Sequence, residues 1–183
     1  MKNSERGLKS RCSPDSDELL RLKQQAKECV KNILFVCTGN ICRSPVAEYL
    51  LRQELEKQKN DSIRVFSAGT MDMGQQPAPR EMVELAESFR VDMKNHRSKT
   101  LTKSMVEEAD LIFAMEIFHK NKICELFPDY KHKVFMLSLF DSRFNGVNIN
   151  DPLGRDYYNY RYCFDRIYSL VQKLILVISR KVS

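Results

Sequence analysis

The fold can be worked out from the stretch VCTGNICRSP, residues 36–45. It continues the compact apolar run Ile33–Val36, which is typical of a buried β-strand. Gly39 permits the sharp backbone turn of a tight loop, Ser44 is a suitable N-cap residue, and Pro45 suits the first turn of a helix. The stretch therefore predicts a strand, a tight loop and then a helix.

The alternation of strand and helix continues along the chain. Apolar patterns predict further strands at 62–67, 110–115 and 132–137, helices at 45–59, 80–89 and 116–127, and a long amphipathic helix through 163–178. Strands that alternate with helices form a parallel sheet with right-handed crossovers. We therefore expect an α/β fold with helices on both faces. Ligands of such folds bind at the carboxyl ends of the strands, so the loop after the first strand is the expected site.

Residues 1–31 differ from the rest of the chain, because they are polar and dense in charge. Pro14 is followed by the acidic start Asp15–Glu18 and by a loose stripe of leucines. We expect a flexible arm and one short helix that lies outside the core domain. The globular domain is expected to occupy 32–183.

Composition limits the classes of partner. The formal net charge of +6 fits an anionic substrate, but Lys and Arg are spread along the chain, so we expect no nucleic-acid partner. The N-terminus MKNSERGLKS lacks the apolar core of a secretory signal, so the six cysteines are expected to be free thiols in the cytoplasm. The longest apolar runs, 33–37 and 174–178, are far shorter than the roughly 20 residues of a membrane span, and we expect no membrane partner.

The loop after the first strand has the composition of an anion site. Its backbone N–H groups are expected to turn inward at the N-terminus of a helix, which attracts an oxyanion. The same surroundings favour a thiolate at Cys37, and Arg43 offers a planar fork for two oxygens of a phosphoryl group. Thiolate, amides and guanidinium together indicate phosphoryl transfer to sulfur.

Several motifs resemble the low-molecular-weight protein tyrosine phosphatases. The matching segments, in family order, are CTGNICRSPVAE at 37–48, SAGT at 67–70, HRS at 96–98, ADLI at 109–112 with Met115, and Asp151-Pro152. The resemblance covers the chain from about Asn32 to the last helix. It implies a three-layer sandwich with a four-stranded parallel sheet in the order 2-1-3-4. It also implies hydrolysis of phosphotyrosine in a phosphorylated protein substrate by a monomer or weak homodimer, without metal or cofactor.

The resemblance also assigns roles to residues. Cys37 would attack phosphorus, Asp151 would act as general acid and then as general base, and Arg43 would stabilise the transferred group. The phosphate-binding loop would comprise Thr38, Gly39, Asn40, Ile41, Cys42, Arg43 and Ser44. Ser44 would also donate a hydrogen bond to the Cys37 thiolate, while Asn40, Ser67 and His96 would fix the loop. Cys42 would be the redox partner that forms a reversible disulfide with Cys37; alternatively, it packs as a small apolar side chain.

The cleft departs from the better-known tyrosine phosphatases. Met73 and Leu153 stand where those enzymes carry aromatic residues, so the walls of the cleft are expected to be Ile41, Met73 and Leu153. Ile41 favours the tyrosine branch, because the related arginine phosphatases typically carry threonine there. The missing aromatics and the run DPLG at 151–154 keep the arginine phosphatases as an alternative.

Other interpretations are weaker. A zinc site is not expected, because Cys37 and Cys42 lack the short ligand spacing and the three histidines form no matching pair. The spacing of Cys124 and Cys163 does not match the disulfide cascade of arsenate reductases. A non-catalytic phosphate-binding module is less consistent with intact Cys37, Arg43 and Asp151. The remaining cysteines are expected to take no part in the site; they are Cys12, Cys29, Cys124 and Cys163.

Overall fold

A computed structural model describes residues 14–141 and 147–179. The expected flexible arm and Cys12 lie outside these residues. The α-helices are α1 Pro14–Gln25, α2 Arg43–Lys57, α3 Arg80–Ser88, α4 Lys103–Glu108, α5 Ile117–Leu126 and α6 Tyr157–Ile178. The strands are β1 Asn32–Cys37, β2 Arg64–Gly69, β3 Leu111–Ala114 and β4 Val134–Met136, and short 3-10 helices occupy Pro128–Lys133 and Leu137–Phe140. The described part of the chain contains no helix that is long and apolar enough to cross a membrane.

The four strands form one parallel sheet in the order β2-β1-β3-β4, which confirms the predicted topology. In the register, Cys37 at the end of β1 lies opposite Gly69 of β2, and Val36 lies opposite Ala114 of β3. Because β1 is flanked by a strand on each side, the loop that follows it is supported from two directions. Ligands of parallel α/β sheets commonly bind at such a position.

Side chains from the sheet alternate between two cores. Ile33 and Phe35 of β1 point into the core that α2, α3 and α6 cover, whereas Leu34 and Val36 point into the core that α4 and α5 cover. Both faces of the sheet are therefore buried, as the continuous apolar runs of the strands predict.

Helix α1 corrects one expectation. The helix was predicted to lie outside the core, but Leu22 is fully buried in the same core as β1 and α6. Glu18 pairs with Lys120 of α5 at 2.5 Å, and the Arg21 guanidinium lies 4.8 Å from the centre of the Phe135 ring. The leucine stripe of residues 19–26 has an apolar face, and burying that face stabilises the packed position of the helix.

Two local features also differ from the sequence prediction. Helix α4 was not predicted, because its six residues are too few to show a period; Thr102 caps it by accepting a hydrogen bond from the Met105 N–H. The strand predicted at 132–137 is only Val134–Met136, because the 3-10 helix Pro128–Lys133 takes up its start.

Candidate active site

The loop of residues 38–42 joins the end of β1 to the start of α2, and its path depends on two special positions. Asn40 has a backbone φ of 54°, a value that residues other than glycine rarely adopt. Gly69, at the end of β2, lies directly against the loop. A Cβ at this position would lie 2.7 Å from the Thr38 carbonyl oxygen and 2.9 Å from the Asn40 nitrogen. The loop can approach β2 this closely only because residue 69 has no side chain.

Cys37 ends β1 with its sulfur inside the curve of this loop. The side chain is buried, and its Sγ accepts hydrogen bonds from the Asn40 N–H at 3.3 Å and from the Ser44 hydroxyl at 3.0 Å. Two donors directed at one sulfur stabilise negative charge on it. The Ser44 hydroxyl, which was expected to donate to Cys37, lies within hydrogen-bond distance of the sulfur.

Asn40 holds the loop to three other segments. Its fully buried amide donates to the Ser44 hydroxyl at 3.0 Å and to the Ser67 hydroxyl at 2.7 Å. Its Oδ1 accepts from the Lys99 N–H at 2.8 Å, and its carbonyl accepts from His96 Nε2 at 2.7 Å. These bonds connect the loop to β2 and to the segment before α4.

The supports of the loop are themselves buried. Burial lowers the pKa of His96, although the hydrogen bond that its Nε2 donates to the Asn40 carbonyl opposes this shift. The Ser67 hydroxyl donates to Glu48 Oε2 at 2.5 Å, and Glu48 pairs with Arg52 at 2.6 Å. Sequence reasoning did not single out Glu48, although it lies one helical turn after Ser44, on the same side of α2.

Arg43 opens α2 with a side chain that is only 1% exposed. Its Nη1 donates to Glu116 and to the Ile149 carbonyl at 3.0 Å, and its Nη2 donates to Asp151 Oδ2 at 2.5 Å. Burial opposes the charge of Arg43, but the facing Cys37 and Asp151 raise its pKa above the usual value. Within residues 14–141 and 147–179, the buried Nε finds no hydrogen-bond partner. The guanidinium thus has one free N–H for an oxyanion.

Glu116 is a site residue that sequence reasoning missed. It is the N-cap of α5, two residues after the end of β3, and its carboxylate accepts from Arg43 Nη1, whereas Asp151 accepts from Nη2. A carboxylate that follows the strand next to β1 is the signal that could have identified it, because the ends of adjacent parallel strands lie side by side.

Cys37, Arg43 and Asp151 line one cavity of about 210 Å³. The three predicted wall residues Ile41, Met73 and Leu153 also line it, together with Met71, which was not predicted. Met71 and Leu153 are about half exposed, at 51% and 46%. The cleft therefore combines a charged floor with an apolar rim.

The described cysteines are all free thiols: Cys29, Cys37, Cys42, Cys124 and Cys163. Cys42 is buried at the start of α2, and burial, together with the negative charges of Asp151 and Cys37, raises its pKa. Cys42 is therefore a protonated thiol at neutral pH.

Comparison with known proteins shows the family of the chain. The model of the family "Low molecular weight phosphotyrosine protein phosphatase" matches residues 32–183. The low molecular weight protein-tyrosine-phosphatase Ptp of Acinetobacter johnsonii is 38% identical over 126 residues, which are 69% of this chain and 82% of that protein. The protein-arginine-phosphatase of Bacillus subtilis is 35% identical over 143 residues, which are 78% of this chain and 93% of that protein.

Solved structures show the same fold. The crystal structure of the low molecular weight protein tyrosine phosphatase from T. tengcongensis matches with a TM-score of 0.74 and 32% sequence identity. The match covers 80% of this chain and 98% of that one. This chain belongs to the low molecular weight phosphotyrosine protein phosphatase family.

Proposed function

We propose that this chain hydrolyses phosphotyrosine in proteins through a cysteinyl-phosphate formed on Cys37. The observation that carries the proposal is the buried Arg43, which lines the same cavity as Cys37 and Asp151 and whose Nε–H has no hydrogen-bond partner among the described residues. An unpaired N–H on a buried guanidinium is a strong donor for a phosphoryl oxygen. The Cys37 sulfur, which accepts two hydrogen bonds, is the nucleophile.

In the first step, the Cys37 sulfur attacks phosphorus, so that a P–S bond forms while the bond from phosphorus to the tyrosine oxygen breaks. Arg43 and the amides of residues 38–44 stabilise the charge on the three other oxygens. Asp151 gives its proton to the departing tyrosine oxygen.

In the second step, Asp151 takes a proton from a water molecule that attacks phosphorus. The P–S bond breaks, inorganic phosphate forms, and the Ser44 hydroxyl at 3.0 Å stabilises the departing thiolate. Asn40, Ser67 and His96 support this step by fixing the loop.

Asp151 also has a place in substrate binding. Its carboxylate accepts a hydrogen bond from Arg43 Nη2 at 2.5 Å, and a phosphoryl group held by this guanidinium would compete for the same nitrogen. We infer that the incoming phosphoryl group displaces Asp151 from the guanidinium. The carboxyl group is then free to turn toward the leaving oxygen.

The cleft walls support tyrosine as the leaving group. The rim of Ile41, Met71, Met73 and Leu153 is apolar, and it buries the face of an aromatic ring at no cost in lost hydrogen bonds. A phosphoarginine side chain carries guanidinium N–H groups that need acceptors. Among the described residues that line the cavity, Asp151 is the only one with a carboxylate. Arginine phosphatase activity is the second candidate, because a relative of that name is 35% identical.

Cys42 supports a reversible redox switch. Peroxide would oxidise Cys37 to a sulfenic acid, and the Cys42 thiol would attack that sulfur, forming an S–S bond and releasing water. After peroxide treatment, peptide mapping should find a Cys37–Cys42 bond, and thiol reductant should restore activity. In Cys42→Ser, a second equivalent of peroxide should oxidise the unprotected sulfenic acid to the irreversible sulfinic acid; full recovery of this variant by thiol reductant after excess peroxide would contradict the switch.

We further propose that residues 32–183 form the phosphatase domain, which is the range that the family model matches. Helix α1 is then an appended helix docked on that domain through Leu22.

Hydrolysis of phosphotyrosine and phosphoarginine peptides, measured side by side, tests the proposal. Wild type should cleave the phosphotyrosine peptide, and Cys37→Ser should abolish this activity. Cys124→Ser is the matched control, because Cys124 packs on the other face of the sheet, and it should retain activity. Cleavage of neither peptide would refute the enzyme proposal, and cleavage of phosphoarginine alone would refute the choice of tyrosine.

A further inference from the structure

The buried side chain of His119 contacts the phosphate loop. It lies in the first turn of α5, and its Nε2 is 2.8 Å from the Thr38 hydroxyl oxygen. Its other ring nitrogen, Nδ1, accepts a hydrogen bond from the Glu116 N–H at 3.1 Å. His119 therefore connects Glu116, which contacts Arg43, with Thr38, which lines the cavity.

These contacts fix the tautomer of the ring. The Glu116 N–H can only donate, so Nδ1 must carry a lone pair and the proton of the neutral ring must be on Nε2. Burial, with the nearby cations Arg43 and Lys122, lowers the pKa of His119 to about 4, so the ring is neutral at physiological pH. Nε2–H consequently donates to Thr38 Oγ1.

The tautomer in turn fixes the direction of the Thr38 hydroxyl. Arg43 Nη2 also donates to Thr38 Oγ1, at 3.2 Å, and guanidinium nitrogens do not accept. A hydroxyl group has two acceptor sites and one donor. Both acceptor sites are used by His119 and Arg43, so the hydroxyl hydrogen must point to a third partner.

We propose that the Thr38 hydroxyl donates a hydrogen bond to a phosphoryl oxygen of the substrate, and that His119 is the positioning residue that holds it in this orientation. The inference rests on the proposed function, because it names a further contact of the same phosphate site. Thr38 is partly exposed and lines the cavity beside Cys37 and Arg43, so a phosphoryl group there is within reach.

Binding of inorganic phosphate to the full-length protein, measured by calorimetry, tests the proposed donor. A hydrogen bond to a charged acceptor is worth about 10-fold to 100-fold in affinity, so Thr38→Val should weaken phosphate binding by that factor. Thr38→Ser keeps the hydroxyl and should recover most of the affinity. Binding by Thr38→Val within twofold of wild type would overturn the proposal.

A double-mutant cycle separates positioning from a general structural effect of His119. His119→Asn keeps an acceptor near the Nδ1 position but removes the Nε2 donor. It should weaken phosphate binding when residue 38 is Thr and have little effect in the Thr38→Val background. Equal losses in both backgrounds would overturn the positioning role.

The tautomer can be measured in the wild-type protein, whether or not His119→Asn folds. The ¹⁵N shifts of the His119 ring at pH 7 should report Nε2–H, and an Nδ1–H ring would overturn the inference. Neither phosphate binding nor the tautomer requires turnover. Failure of wild type to hydrolyse phosphotyrosine would therefore count against the proposed function alone, whereas phosphate binding and the tautomer decide the roles of Thr38 and His119.

Discussion

Replacing Asn40 by alanine should destabilise the protein by about 4 kcal/mol. The side chain makes two buried hydrogen bonds, to the hydroxyls of Ser44 and Ser67, and accepts a partly buried one from the Lys99 N–H. At about 1 kcal/mol net for each bond, their loss costs about 3 kcal/mol. The φ of 54° adds about 1 kcal/mol, because alanine resists the left-handed region. For a chain of 183 residues, a loss of 1 kcal/mol lowers Tm by roughly 2–4 °C, so the expected decrease is about 8–16 °C.

Asn40→Gly is the matched control for this prediction. Glycine removes the same three hydrogen bonds but adopts the positive φ without strain, so it should be about 1 kcal/mol more stable than Asn40→Ala. Urea unfolding of wild type and both variants measures these differences. A loss below 1 kcal/mol for Asn40→Ala would refute the argument that the Asn40 side chain holds the loop. Equal stability of the two variants would refute the contribution of the strained backbone.

Three further predictions concern the same site. The pKa of His119 is about 4 in the folded protein and 6.5 in the unfolded chain, so the unfolded chain binds more protons between pH 4 and 6.5. The free energy of unfolding should therefore fall by about 3 kcal/mol as the pH drops from 6.5 to 4. Urea unfolding across that range should show a smaller decrease for His119→Asn, and an identical decrease would contradict the assignment. Asp151→Asn should slow hydrolysis of phenyl phosphate by about 10²–10⁴-fold and that of p-nitrophenyl phosphate less, because the better leaving group needs little protonation; equal losses would argue against a general acid. Gly69→Ala should weaken binding of inorganic phosphate, because its Cβ would lie 2.7 Å from the Thr38 carbonyl oxygen; unchanged phosphate affinity would contradict this prediction.

The sequence contains most of the local information about the site. The run from Val36 to Pro45 places a thiol, a turn and a helix start within ten residues, and the structure arranges them as β1, loop and α2. The apolar runs predict the strands, and alternation with helices predicts their parallel pairing. Only the family resemblance predicted that Ser67 and His96 lie beside the loop. Both residues are distant from the loop in sequence, and serine and histidine are common on protein surfaces.

The features that sequence reasoning missed depend on packing between distant segments. Met71 lines the cavity and Glu116 contacts Arg43 because the strands before them end beside β1, and the residues near them in sequence do not show which side chains point toward the site. The docking of α1 was missed for a similar reason. A stripe around Leu22 can pack on a domain or remain exposed, and the apolar surface available around β4 decides between the two.

Trapping of the covalent intermediate shows whether Cys37 is the nucleophile. Asp151→Asn should still react with p-nitrophenyl phosphate, but it lacks the base for the second step, so phosphorus should accumulate on the enzyme in a burst. Acid quenching and peptide mapping after reaction with ³²P-labelled p-nitrophenyl phosphate should find the label on the peptide that contains Cys37, and Cys37→Ser/Asp151→Asn should carry no cysteinyl-phosphate. Label on a different residue, or turnover by Cys37→Ser at the wild-type rate, would contradict the account.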